Sequence, residues 1–130
     1  MVRDPISEFI IAIKNGGAAG HTSISVPYSK MKQAIADVLA KEGFVAEVEK
    51  RGKKVRKTLE VTLKYEDKKP FVHDVKRLSK LSRRVYLPAD KIYPVKFGHG
   101  ITVLTTPKGI MTDKEARKSH IGGEPLFSIW

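Results

Sequence analysis

The sequence predicts a mixed α/β chain of the α+β class, with two small packed domains. These are an N-terminal helix-strand-helix-hairpin unit over residues 1–66 and a C-terminal, mainly β unit with a short helix over residues 67–130. Three observations predict it. Two segments of the first half carry apolar residues at helical spacing. Later segments alternate apolar and polar residues as strands do. Between them Glu66-Asp67-Lys68-Lys69-Pro70 is polar, ends in Pro and is the best boundary. Each half has about 65 residues, a size at which an isolated core is marginal, so the two are expected to pack together.

Asp4 can cap a first helix, Pro5 suits its first turn, and Ile6, Phe9, Ile10 and Ile13 form its apolar stripe. Asn15-Gly16-Gly17 is expected to stop it. Thr22, Ile24 and Val26 alternate with polar residues as a short strand that Pro27 ends. Ser29 caps a second helix with Met31, Ile35, Val38 and Leu39 on its apolar side and Gly43 just past its end. Phe44 to Lys50 and Thr58 to Tyr65 then form a hairpin around a basic loop, with Phe44, Ala46 and Val48 on one face of the first strand.

In the second half, Phe71 to Leu78 and Arg84 to Leu87 read as strands, and Pro88 to Pro94 holds one helical turn. Gly98-His99-Gly100 is a loop before the strand Ile101 to Thr106, and Pro107-Lys108-Gly109 turns the chain. Thr112-Asp113-Lys114-Glu115 has the form of a capping box, which predicts a helix from Asp113 to about Ser119. Gly122-Gly123 is expected to break that helix before a last strand, Leu126 to Trp130.

The chain holds 25 Lys and Arg against 14 Asp and Glu, a formal net charge of +11 that attracts polyanions. Residues 1–66 hold 12 cations against 8 anions and residues 67–130 hold 13 against 6, so the excess leans toward the second half. Zero cysteines exclude a disulfide framework, a thiolate metal site and a cysteine nucleophile. No apolar run approaches the roughly 20 residues of a membrane span, and a cytoplasmic chain is expected.

Little points to catalysis. His21, His73, His99 and His120 lack metal-ligand spacing, so no metal, cofactor or catalytic residue is expected. The carboxylates stand in basic contexts, except Glu124, which follows Gly122-Gly123 and precedes Pro125. It is either a plain turn residue or an acceptor for a base amine. The basic segments say more. Lys50 to Lys57 holds six cations in eight residues, either a solvated loop or a phosphate-gripping finger. Lys76, Arg77, Lys80, Arg83 and Arg84 place five cations in nine residues with no acid among them.

An Arg84-Val85-Tyr86 strand sets Arg84 and Tyr86 on one face, where the guanidinium can hold phosphate and the ring can pack on a sugar or base. A core position for Tyr86 is the alternative. Lys30 and Lys32 in the first turn of a helix oppose its dipole, a cost that an anion bound at the free N–H groups behind Ser29 would repay. Thr105-Thr106-Pro107-Lys108-Gly109 offers hydroxyls and a glycine at the end of a strand, suited to a base edge or a 2′-hydroxyl.

Along essentially its whole length the sequence resembles the bacterial form of small-subunit ribosomal protein eight. The resemblance rests on Asp4-Pro5-Ile6 through Ile13-Lys14-Asn15, Val26-Pro27-Tyr28-Ser29-Lys30, Glu42-Gly43-Phe44, Lys76-Arg77-Leu78-Ser79-Lys80, Arg84-Val85-Tyr86 and Gly100 to Trp130. Most specific is Lys108-Gly109-Ile110-Met111-Thr112-Asp113-Lys114-Glu115-Ala116-Arg117 followed by Gly122-Gly123-Glu124.

The resemblance implies a non-enzymatic protein that binds the central domain of small-subunit ribosomal RNA early in assembly and helps organise the platform. It implies that Thr105 to Gly109 stand where the family has a Ser-Thr-Ser-x-Gly turn, and that Tyr86, Gly123 and Glu124 share that surface. Ser29 and Lys30 would bring the N-terminal domain to the RNA. Small-subunit proteins five and twelve are the implied neighbours, and the protein's own message is a further target if it folds similarly. Two departures from the family stand out: Pro107 replaces the third Ser of the turn, and Leu81-Ser82 replaces a common Pro-Gly, so the bend that places Arg83 is expected to differ. A small basic ribonuclease and a DNA-architectural binder are the competing classes. The first needs convergent acid, base or metal groups, and the second predicts no preference for RNA.

Overall fold

Helix α1 (Pro5–Ala18) runs straight through the glycines expected to stop it. A Cβ on Gly16 would stand 2.7 Å from Ile24 Cγ2, and one on Gly17 would stand 3.1 Å from Pro70 Cβ. The glycines therefore let the helix approach the neighbouring chain closely. That packing outweighs their helix cost of about 1 kcal/mol each. The helix ends instead in a Schellman motif at Gly20, whose φ is +77°: His21 N–H donates to Gly16 C=O and Gly20 N–H to Gly17 C=O.

The computed structural model describes residues 4–52, 55–80, 82–95 and 99–130. They divide into two units, Pro5–His73 and Asp74–Trp130, the second including Asp4. In the first, β1 (Ser23–Pro27), β2 (Val45–Arg51) and β3 (Thr58–Leu63) form an antiparallel sheet of order β1-β3-β2. Phe9, Ile10 and Ile13 of α1, Ile35, Ala36 and Leu39 of α2 (Lys30–Lys41), and Leu59 and Val61 of β3 are buried as its core.

Two details differ from the expected pattern. Met31 is 41% exposed, because the buried stripe of α2 is Lys32, Ile35, Ala36 and Leu39. In β2 a register shift between Val45 and Glu47 leaves Phe44 and Val45 buried and Ala46 exposed, so the alternation expected from Phe44 breaks at a bulge. The polar stretch 66–70 is a tight hairpin of β4 (Tyr65–Glu66) and β5 (Lys69–Pro70), with Asp67 and Lys68 both left-handed at φ 52° and 64°, as a type I′ turn requires.

In the second unit β6 (Val75–Arg77), β7 (Ile101–Thr106), β8 (Gly109–Thr112) and β9 (Glu124–Ile129) make a sheet of order β6-β9-β7-β8. Ile92, Leu104, Met111 and Ala116 form a core cluster with Leu87 and Ile121 against it. Helix α3 (Asp113–Ser119) starts at the expected cap: Thr112 Oγ1 accepts from Glu115 N at 3.2 Å. It is ended by His120 in the left-handed region at φ 54° rather than by the following glycines.

The expected strand 71–78 is reduced to three residues. Residues 84–87 form no strand; only Leu87 is bridged, to Gly123. The reason is local: the N–H of Val85 donates to the Ser79 hydroxyl at 3.0 Å rather than to a neighbouring strand. The expected helical turn is a 3₁₀ turn at Ala89–Lys91. Among the described residues no helix is long and apolar enough to cross a membrane.

Candidate nucleic-acid interface

The β7–β8 hairpin presents the Thr105 to Gly109 turn. Thr106 and Gly109 close it, Pro107 and Lys108 occupy its two central positions, and within it only Gly109 has a positive φ, +111°. That is the pattern of a type I turn followed by a glycine bulge, in which proline is favoured at the first central position. Pro107 therefore suits this turn, since no ladder hydrogen bond is required of its nitrogen. Thr106 Oγ1 donates to Gly109 C=O at 2.8 Å and accepts from Lys108 N at 3.2 Å. Its hydroxyl is thus first a brace for the turn, with one lone pair left for a partner. A Cβ on Gly109 would meet nothing within 4 Å, so its backbone stands open to a close approach.

Glu124 is the register partner of Thr105 on the adjacent strand. A Cβ on Gly123 would stand 2.5 Å from Thr105 C=O, and one on Gly122 2.7 Å from Leu87 C=O and 2.9 Å from the Tyr86 hydroxyl. The glycine pair is required by this close approach of three segments, not by termination of α3. Leu87 and Gly123 exchange two backbone hydrogen bonds, of 2.9 and 3.0 Å, which seat the Tyr86 segment beside the turn. Tyr86 is 67% exposed, so it is not a core residue. Exposure alternates over Arg84, Val85, Tyr86 and Leu87, so the shared outward side expected for Arg84 and Tyr86 exists without a ladder. The structure thus brings together Tyr86, Arg84, Thr105, Thr106, Pro107, Lys108, Gly109, Gly123 and Glu124 within one unit.

Glu124 begins a strand rather than occupying a turn, and its carboxylate is held from two sides. Arg84 Nη1 lies 3.1 and 3.2 Å from its two oxygens, and the Ser79 hydroxyl donates to Oε2. Ser79 is 1% exposed, which makes it an organising residue that no sequence signal identified: a lone serine between basic residues looks like any surface hydroxyl.

The five cations from Lys76 to Arg84 are not equivalent. Arg77 is mostly buried, with its Nε 3.0 Å from Asp4 Oδ2 and a further bond to Leu126 C=O, so it holds the fold. Lys76, Lys80 and Arg83 are exposed. Lys80 and Arg83 exchange two backbone hydrogen bonds of 3.0 Å each, which gives Arg83 a defined place; Leu81 lies outside the described residues.

In the other unit Ser29 is the cap of α2, its hydroxyl accepting from Lys32 N at 3.1 Å, and Lys30 is exposed. Lys32 is buried, and its ammonium donates to Pro27 C=O at 3.0 Å, so it is unsuited to the anion role expected of it. The hairpin finger is also partly occupied. Lys50 lies 4.6 Å over the Tyr28 ring. Arg51 bonds Glu49 at 3.0 Å and lies 3.4 Å from Glu60; the Glu49 hydrogen bond and charge, then Glu60, raise its pKa. Lys53 and Lys54 lie outside the described residues, as does Gly98 of the expected glycine loop. Among the described residues no group of three His, Asp or Glu could hold a metal ion.

A sequence model of the family described as ribosomal protein S8 matches residues 4–130. The chain is 46% identical to the small ribosomal subunit protein uS8 of Dictyoglomus turgidum over 129 residues, 99% of this chain and 98% of that one. It is 44% identical over 131 residues to the uS8 protein of Caldanaerobacter subterraneus subsp. tengcongensis, covering 100% and 99% of the two chains. With that of Mycoplasmopsis pulmonis the identity is 40% over 130 residues, covering 100% and 98%.

Proposed function

Because the chain belongs to the ribosomal protein S8 family, a non-enzymatic structural constituent of the small ribosomal subunit, we propose that it binds the central domain of small-subunit ribosomal RNA directly and helps assemble the subunit's platform. The observation that carries this reading is the junction at Leu87 and Gly123, where an exposed tyrosine, a braced hydroxyl turn, a fixed carboxylate and an arginine converge. Exposed cations supply attraction without sequence information, whereas the Thr105 to Gly109 turn, Tyr86 and Glu124 match groups of a particular RNA. Ser29 and Lys30 add a phosphate contact from the α2 end. Small-subunit proteins five and twelve are the proposed neighbours, and the protein's own message is a second target where it presents the same shape.

The test is binding of the purified protein to a central-domain RNA helix, an unrelated RNA hairpin and a DNA duplex across a salt series. With some 5 to 8 phosphates contacted, log affinity should fall against log salt with a slope of about −4 to −6. The cognate RNA should be preferred over both competitors. A salt-independent affinity, or equal binding of all three, would overturn the reading.

Two substitutions separate attraction from discrimination. Thr106→Ala removes the brace of the turn and should weaken cognate RNA about tenfold while changing unrelated RNA less than about twofold. Lys30→Ala should weaken both to a similar, smaller extent, because it removes only a phosphate contact. Equal patterns from the two variants would refute this division of roles.

A further inference from the structure

A carboxylate amid phosphate-binding cations is electrostatically adverse unless it is held for a purpose, and Glu124 is held closely. Its side chain is 20% exposed, forked by Arg84 Nη1 on one side and bonded by Ser79 on the other. Ser79 cannot itself meet a ligand, being 1% exposed. Its hydroxyl is engaged on two sides: it donates to Glu124 Oε2 and accepts from Val85 N, while its own N–H donates to Pro125 C=O at 3.1 Å. One buried oxygen therefore joins the strand that carries Glu124 to the segment that carries Arg84 and Tyr86.

We propose that Ser79 is a positioning residue for RNA recognition, which sets the Glu124 carboxylate as a directed acceptor for a base amine and fixes the Arg84-to-Tyr86 segment against it. The proposal rests on the reading above and adds a residue that does not touch the RNA. The chemistry is that of a hydrogen-bonded carboxylate. With Oε2 engaged by Ser79, rotation about the last torsion is restricted, and the remaining lone pairs keep one direction outward. A base amine that fits that direction is favoured over bases offering an acceptor there. Without the Ser79 hydroxyl the carboxylate is tethered by Arg84 alone, a 64% exposed side chain, and its direction is lost.

The experiment measures the affinity of the full chain for the central-domain RNA helix and for an unrelated RNA hairpin at one salt concentration, in four proteins: wild type, Ser79→Ala, Glu124→Ala and the double variant. Ser79→Ala should weaken cognate RNA about tenfold and unrelated RNA less than about twofold. In the Glu124→Ala background the same substitution should change the cognate-to-unrelated ratio much less, because one of its two targets is gone. Equal loss for both RNAs, or an undiminished effect without Glu124, would mean a merely structural serine and overturn the proposal. Should Ser79→Ala fail to fold, Ser79→Cys carries the same expectation, since sulfur fills the site and is a poor donor. A wild-type chain without preference defeats the proposed function and this inference with it; a wild-type preference that Ser79→Ala retains defeats the inference alone.

Discussion

Gly123→Ala is expected to lower the stability of the protein by about 3 kcal/mol and to abolish preferential binding of its RNA. The added Cβ would stand 2.5 Å from Thr105 C=O and 2.9 Å from Thr106 Cγ2. The nearer atom is backbone in the middle of a sheet, so no side-chain rotation relieves the contact. Either the Thr105–Glu124 pairing opens or the Leu87 bridge breaks, and each leaves backbone groups without partners. The unfolding midpoint should drop by about 10 °C. Gly109→Ala is the control, because its Cβ would meet nothing and only its φ of +111° resists. Backbone strain alone costs about 1 to 2 kcal/mol there, so its midpoint should fall less. Equal shifts for the two variants, by calorimetry or circular dichroism, would disprove the steric account.

The second large effect concerns Arg84. For folding, its ion pair with Glu124 matters little, since a pair with one partner largely in water is worth about 0 to 1 kcal/mol. For RNA binding it matters more. Arg84→Ala removes a phosphate-binding cation and leaves the Glu124 charge facing the phosphates, so affinity should fall about 30-fold, near 2 kcal/mol. The salt slope should flatten by about one. In a chain that already carries Glu124→Ala, removing Arg84 should weaken binding only about fivefold, because no stranded carboxylate remains. Additive losses in this cycle would show that the carboxylate and the guanidinium act separately.

Much of this was legible from residue order. The capping residues Ser29 and Thr112 follow from local hydrogen bonding within three residues. The hairpin turn at Pro107-Lys108-Gly109 follows from the fixed φ of proline and the freedom of glycine. The hydroxyl turn, Tyr86 and Glu124 were visible as candidates because an RNA surface needs those chemistries beside cations.

Other features were hidden because each depends on a partner distant in the chain. Gly16-Gly17 looks like a stop until Ile24 and Pro70 are seen against it. Lys32 and Arg77 count as two more cations until Pro27 C=O, Asp4 and Leu126 C=O are found to bind them. Gly122-Gly123 reads as a helix breaker, although His120 ends α3 and the glycines admit Leu87 and Thr105.

By itself, then, the sequence determined where the helices begin and where the hairpin turns, because these depend on neighbours three or four positions away, and its composition set the net charge of +11 and the residue types available to meet RNA. Only the tertiary structure decided which cations face outward, why residues 84–87 stay extended without a ladder, and that Ser79 governs Glu124 from 45 residues away. The physical reason is that a hydrogen bond or a steric approach is a property of two atoms in space. A buried donor takes whichever acceptor the fold brings within reach.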